Sequence, residues 1–192
     1  MNPWLGLAVN RPFDHTNNPV LFMKTLHIAL ALVSAALLAQ ADQVKLADVH
    51  LCCGGCVKGA EKAVAKVGGA TATVDKDAGT VTIAASSKAI LQQAVESLQA
   101  AGYYGKTSDA SIKVAATAGV PAGKVQKLKV EGVHLCCGKC VTAVQKAVGR
   151  VAGVKGNTAE KNVATFEVTG DFNAKDVFAE LNKAGLAGKV AK

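Results

Sequence analysis

The chain has 192 residues, of which 19% are charged and 50% are apolar, and this composition excludes a disordered chain. Aromatic residues make up only 4%, so the core must be built mainly from aliphatic side chains. The net charge of +8 comes mainly from scattered lysines, without the basic stripe and stacking aromatics that nucleic-acid binding requires.

The N-terminal part of the chain is typical of an extension followed by a secretory signal. Met1–Phe22 contains no convincing element, whereas Lys24 supplies a positive charge ahead of the apolar run Leu26–Leu38. Ala39-Gln40-Ala41 matches a signal cleavage site, so we expect residues 1–41 to be removed and Met23 to be the true start. The alternative is an uncleaved anchor, although the run is shorter than the roughly 20 residues of a membrane span. The expected location is periplasmic or secreted, without a membrane span after cleavage.

Residues 42–114 have the pattern of one small α+β domain. Alternating apolar residues predict strands, and apolar residues three or four positions apart predict helices. The predicted order is a strand at Val44 and Leu46, a helix from Gly54 to Gly68-Gly69, a hairpin over residues 72–83, a helix from Ser86 or Ser87 to Gly102, and a last strand within Tyr103–Val114.

Residues 115–124 form a short linker, because Gly119, Pro121 and Gly123 stand among small residues. Residues 125–192 then repeat the order of the first domain. The sequence therefore predicts two tandem ferredoxin-like βαββαβ domains, each with a four-stranded antiparallel sheet and two helices on one face.

One short motif occurs once in each domain, at the junction of the first strand and the first helix. His50-Leu51-Cys52-Cys53-Gly54-Gly55-Cys56 recurs 84 positions later as His134-Leu135-Cys136-Cys137-Gly138-Lys139-Cys140. All six cysteines and two of the four histidines lie in these two copies, which we call loop 1 and loop 2.

Each half resembles a heavy-metal-associated domain, the family of copper chaperones, metal-ATPase N-terminal domains and the periplasmic mercuric-ion binding protein. The resemblance covers nearly all of residues 42–192, and it rests on the two C-x-x-C pairs and on Ala101-Gly102-Tyr103. It implies that Cys53 with Cys56, and Cys137 with Cys140, bind a soft metal ion. The family pattern Gly-Met-x-Cys-x-x-Cys is not kept, because histidine, leucine and cysteine replace Gly, Met and x. The metal preference of relatives therefore does not transfer.

The residues themselves support a thiolate metal site. Cys56 falls in the first turn of a helix, where free backbone N–H groups favour a thiolate. Two thiolates on a glycine-rich loop suit a soft ion that is later passed on. We expect Cu(I) as the cargo, with Zn(II), Hg(II) and Cd(II) as alternatives.

The roles of the remaining candidates stay open at this point. Cys52 and Cys136 are either third ligands or solvent-facing thiols, since neighbouring side chains of an extended segment point apart. A solvent-facing thiol could bridge to the other domain or react as a redox thiol. His50 and His134 are either additional ligands or surface histidines. Tyr103 is expected to pack beneath the loop.

The sequence therefore predicts an exported, non-enzymatic carrier or scavenger of copper or another heavy metal, with one C-C-x-x-C site in each domain. The alternative is a thiol-disulfide redox protein that uses the same C-x-x-C pairs. A purely stabilising disulfide is disfavoured, because closing so short a loop constrains little of the unfolded chain. Expected partners are the metal ion and a metal-transport ATPase or another metal-exchange protein, with no nucleic acid.

Overall fold

The computed structural model describes residues 41–115 and 119–192. The predicted extension and signal, together with residues 116–118 of the predicted linker, lie outside the described residues. The described part of the chain contains two four-stranded antiparallel sheets and four helices, so the predicted α+β class is confirmed.

The first sheet and its two helices come from the first repeat. The elements are β1 (Asp42–Ala47), α1 (Gly54–Ala65), β2 (Ala70–Asp75), β3 (Thr80–Ala85), α2 (Lys88–Ala100) and β4 (Lys106–Thr107). The strand order is β2-β3-β1-β4, which places β1 in the interior of the sheet with Val44 and Leu46 buried. Ser87 caps α2 by accepting a hydrogen bond from the Ile90 N–H at 3.3 Å.

The second repeat builds the second sheet in the same order. Its elements are β5 (Lys124–Glu131), α3 (Gly138–Val148), β6 (Val154–Asn157), β7 (Thr165–Asn173), α4 (Ala174–Lys183) and β8 (Lys189–Val190). The strand order is β6-β7-β5-β8, so β5 matches β1 in position. Loop 1 and loop 2 each lead from an interior strand into the first helix of their half, as the sequence predicts.

The last strand of each half is short, because the chain first turns toward the other half. Helix α2 is followed by Gly102 and helix α4 by Gly185, both with positive φ. Beyond these glycines, Tyr103 and Leu186 pair with one another in an isolated antiparallel bridge. The two halves are thus joined by backbone pairing next to the loops.

The buried apolar side chains of both halves belong to one continuous cluster. The members nearest to the junction include Tyr103 and Leu186, both fully buried, and the leucines of the two loops, Leu51 and Leu135. Continuous burial across the junction stabilises one relative placement of the two loops. Within the described residues, no helix has the length and apolar character needed to cross a membrane.

Candidate metal centre

Each loop leads directly into a helix, and one of its cysteines caps the N-terminus of that helix. Cys53 and Cys137 are the N-cap residues of α1 and α3, with extended backbone, and neither helix has an acidic residue in its first turn. One turn later, the backbone N–H of Cys56 donates to the Cys53 carbonyl at 3.0 Å, and Cys140 repeats this bond to Cys137 at 3.1 Å. Both helices therefore begin at the thiols, and their free N–H groups favour negative charge there.

Two glycines bring the loops together. The His50 N–H donates to the Gly185 carbonyl at 3.2 Å, and the Ala187 N–H donates to the Gly102 carbonyl at 3.0 Å. A Cβ atom on Gly102 would lie 2.2 Å from the backbone nitrogen of His134, and one on Gly185 would lie 2.4 Å from that of His50. Each half thus uses a glycine to let the loop of the other half approach closely.

The six thiols meet in one cluster. Cys56 and Cys140 are its fully buried members, with their Sγ atoms 3.8 Å apart. The Sγ–Sγ distances within the loops are 3.6 Å for Cys52–Cys56, 3.7 Å for Cys53–Cys56, and 3.8 Å for both Cys136–Cys140 and Cys137–Cys140. Those between the loops are 3.4 Å for Cys52–Cys137 and Cys52–Cys140, 3.7 Å for Cys53–Cys136 and 3.6 Å for Cys56–Cys136. All six cysteines are free thiols.

Four of the six thiols are partly exposed. Half-buried thiols belong to Cys52, Cys53, Cys136 and Cys137, whereas the other two cysteines are fully buried. A surface depression lined by Cys53, Cys137, Gly138, Lys139 and Thr142 opens there. An ion or an incoming thiol can therefore reach Cys53 and Cys137 from this depression.

The thiols are close enough to share protons, and their pKa values therefore differ. The Cys140 thiol is the main reason that the pKa of Cys56 lies far below the ordinary value, and the same pairing raises the pKa of Cys140. Burial raises the pKa of Cys52 and raises that of Cys136 to about 12. The backbone N–H of Cys140 lowers the pKa of Cys137 to about 6. Cys52, Cys136 and Cys140 thus keep their protons until a cation replaces them, whereas Cys56 and Cys137 favour the thiolate form.

His134 is held by an aromatic residue of the other half. The Tyr103 hydroxyl donates to the Cys56 carbonyl at 2.9 Å and lies 3.0 Å from Nε2 of His134. Because a phenol has one proton, it accepts from His134, which assigns the imidazole proton to Nε2. The two rings stack with centroids 4.6 Å apart. Burial raises the pKa of Tyr103 and keeps this phenol neutral.

His50 has a different environment. Its Nε2 is buried without a hydrogen-bond partner, and burial lowers the pKa of the imidazole, so the neutral form is favoured. One of its ring nitrogens and the Sγ atoms of Cys52 and Cys140 lie within 4.8 Å of one another. A neutral imidazole beside two thiols is a suitable set of ligands for a soft or borderline metal ion.

The structure brings together all eight residues that the sequence proposed as ligands, but it does so differently from the expectation. We expected one thiol site in each half, whereas sulfurs of the two loops lie as close as 3.4 Å and form one shared cluster. The physical reason is the close backbone approach at Gly102 and Gly185, which seats each loop on the other half. The sequence interpretation missed this role, because a glycine after a helix is also the ordinary C-terminal signal.

Comparisons with known proteins add little. No protein-family model matches the chain, and the comparison with curated proteins finds no relative. Among solved structures, one match is the N-terminal soluble domains of Bacillus subtilis CopA, at 16% identity over 81% of this chain and 97% of that chain, with a TM-score of 0.29. A TM-score of this size supports no conclusion, so the class of protein has to follow from the thiol cluster itself. That cluster is a group of cysteines that could hold a metal ion.

Proposed function

We propose that the protein binds soft metal ions, with Cu(I) as the preferred cargo, at a single site built by the thiols of loop 1 and loop 2. The observation that carries this proposal is the approach of six Sγ atoms, with neighbouring atoms 3.4–3.8 Å apart. Thiolates select soft ions over Mg²⁺ and Ca²⁺, and the candidate ligand groups in the described chain contain only cysteine and histidine. Zn(II), Hg(II) and Cd(II) are the alternative ions.

The proposed frame is a pair of ferredoxin-like halves, over residues 42–114 and 125–192, joined by residues 115–124. The repeated element order and the matching strand orders β2-β3-β1-β4 and β6-β7-β5-β8 support it. The resemblance to heavy-metal-associated domains rests on the C-x-x-C pair that lies between the first strand and the first helix of each half.

The proposed role is that of an exported, non-enzymatic carrier or scavenger. The signal-like segment before Asp42 supports a periplasmic or secreted location. Half-buried Cys53 and Cys137, beside a surface depression, suit transfer of an ion to the thiols of a metal-transport ATPase or another exchange protein. Sequencing the N terminus of the protein from its host tests export, since an intact Met1 or Met23 would contradict cleavage.

An anaerobic titration tests the metal-binding function. The reduced protein is mixed with Cu(I) or, in parallel, with Zn(II), passed through a gel-filtration column, and analysed for bound metal. We expect Cu(I) to be retained in the presence of a competing chelator, and a variant with all six cysteines changed to Ser to retain none.

The same samples distinguish the redox alternative. Cys53 lies 3.7 Å from Cys56 and Cys137 lies 3.8 Å from Cys140, so each pair could also form a disulfide. A redox protein would lose Cu(I) to the chelator as readily as the variant does, and would instead cycle reversibly between thiol and disulfide forms. That result would overturn the metal-binding proposal.

A further inference from the structure

The sulfur cluster has the neighbour pattern of an octahedron. Nine Sγ pairs lie 3.4–3.8 Å apart. Three more pairs lie within 4.8 Å, namely Cys52–Cys53, Cys53–Cys137 and Cys136–Cys137. The pairs outside this set are Cys52–Cys136, Cys53–Cys140 and Cys56–Cys137, which have no cysteine in common. An octahedron has the same pattern, because each vertex has four neighbours and one opposite vertex.

An octahedron of thiolates offers triangular faces, and a triangle of sulfurs suits Cu(I), which accepts three thiolates in a plane. Four of the eight faces of the octahedron can be chosen so that no two share an edge, and these four use every sulfur twice. They are Cys52–Cys53–Cys56, Cys53–Cys136–Cys137, Cys56–Cys136–Cys140 and Cys52–Cys137–Cys140. The candidate ligand groups among the described residues each combine three ligand atoms, whereas Zn(II) prefers a tetrahedral set of four.

We propose that the two loops together hold a cluster of four Cu(I) ions, one on each of these faces, in which every thiolate bridges two ions. This inference rests on the proposed function and specifies the number and arrangement of the bound ions. All six cysteines bind as thiolates, and any that still carry a proton release it as Cu(I) binds, so four Cu(I) ions and six thiolates form a core with two negative charges. Copper enters and leaves as Cu(I), so no electron is transferred.

The surroundings suit a small anionic core. Helices α1 and α3 both begin at the cluster, and neither carries an acidic residue in its first turn. The partial positive charge at a helix N-terminus stabilises an anion placed there. Burial of Cys56 and Cys140 limits the access of water and competing thiols to the core.

His50 lies beside one edge of the sulfur cluster. The Sγ atoms near its ring belong to Cys52 and Cys140, which form one edge of the face Cys52–Cys137–Cys140. The unpartnered Nε2 makes His50 available to the ion on that face as a fourth ligand. His134 is not available in the same way, because its Nε2 bonds Tyr103.

Native mass spectrometry of the reduced protein during anaerobic addition of Cu(I) tests the cluster. Shared thiolates make loading cooperative, so we expect metal-free and four-copper forms to dominate when two equivalents have been added. Saturation at one or two ions, as for one ion in each loop, would overturn the cluster and leave the proposed function intact. Retention of no copper would overturn both.

A matched pair of variants strengthens the test. Cys53→Ser removes a sulfur shared by two faces, so the four-copper form should disappear, while circular dichroism reports whether the fold is kept. Thr71→Ser, at an exposed position of β2, is the control and should still load four ions. If Cys53→Ser still takes up four ions with its fold intact, the face assignment is wrong.

Discussion

Loop 1 and loop 2 are nearly identical in sequence, yet their histidines have different neighbours. His134 of loop 2 stacks on Tyr103, which also donates a hydrogen bond to the Cys56 carbonyl. Leu186 is the counterpart of Tyr103 across the bridge that joins the halves, and a leucine has no group that could bond the His50 ring. Because the first repeat has Tyr103 where the second has Leu186, His134 is held in place, whereas the Nε2 atom of His50 is free to bind.

The helix that follows loop 1 is adapted to this difference. A Cβ atom on Gly59 would lie 2.3 Å from the Tyr103 hydroxyl and 3.0 Å from Cε1 of His134, so the aromatic pair requires glycine at this position. The position 84 residues later is Ala143, which fits a half that has leucine instead of tyrosine. The asymmetry therefore involves two positions that differ together between the repeats, namely Tyr103 against Leu186 and Gly59 against Ala143.

The largest expected effect concerns the dependence of loop 2 on loop 1. Changing Cys53 and Cys56 to Ser leaves all three thiols of loop 2 in place. Because Cys56 lies 3.6 Å from Cys136 and 3.8 Å from Cys140, we expect the Cu(I) affinity of the remaining thiols to fall by at least about tenfold. Competition with a chromophoric chelator measures this affinity. Independent loops would give half of the copper at unchanged affinity, and that result would contradict a shared site.

A smaller effect should distinguish the two histidines. His50→Ala removes the proposed fourth ligand, so Cu(I) affinity should fall by about tenfold while the stability of the metal-free protein changes little. His134→Ala should lower the free energy of unfolding by about 1–2 kcal/mol and change the affinity less, because the His134 ring stacks on Tyr103 and its Nε2 bonds the Tyr103 hydroxyl. Chelator competition and urea unfolding measure the two quantities. Equal losses of affinity in both variants would mean that the difference between the loops has no role in binding.

The smallest expected effect comes from Tyr103→Phe, which keeps the stacked ring and removes only the hydroxyl. The Cys56 carbonyl and the Nε2 of His134 then lose a buried partner, so the free energy of unfolding should fall by about 1–2 kcal/mol. The number of bound copper ions should not change. A large loss of copper from this variant would place Tyr103 in the metal site itself.

The secondary structure could be predicted from the sequence in most respects. Alternation at Val44 and Leu46 predicted β1, and Ser87 was one of two predicted caps for α2. The last strands were harder to place, because β4 and β8 have only two residues each and follow a segment that pairs with the other half. The boundaries proposed for the two domains and the linker stay predictions.

The sequence raised a bridge between the domains only as one option for Cys52. The relative placement of the two halves could not be predicted, because a repeat specifies two similar units and leaves their placement open. The placement depends on how closely the backbone approaches at Gly102 and Gly185, and on the burial of Tyr103 and Leu186. Residue patterns along the chain identify each of these as a helix end or a core residue. Their contacts with the opposite loop arise only when both halves are present.

X-ray absorption spectroscopy of the fully Cu(I)-loaded protein tests the shared cluster most directly, because it reports the atoms around each copper. The octahedral arrangement of the six thiols predicts about three sulfur neighbours for each copper ion, together with a clear copper–copper scattering contribution. Two sulfur neighbours in a linear arrangement, with no copper–copper contribution, would show that each loop binds its own ion and would contradict the account.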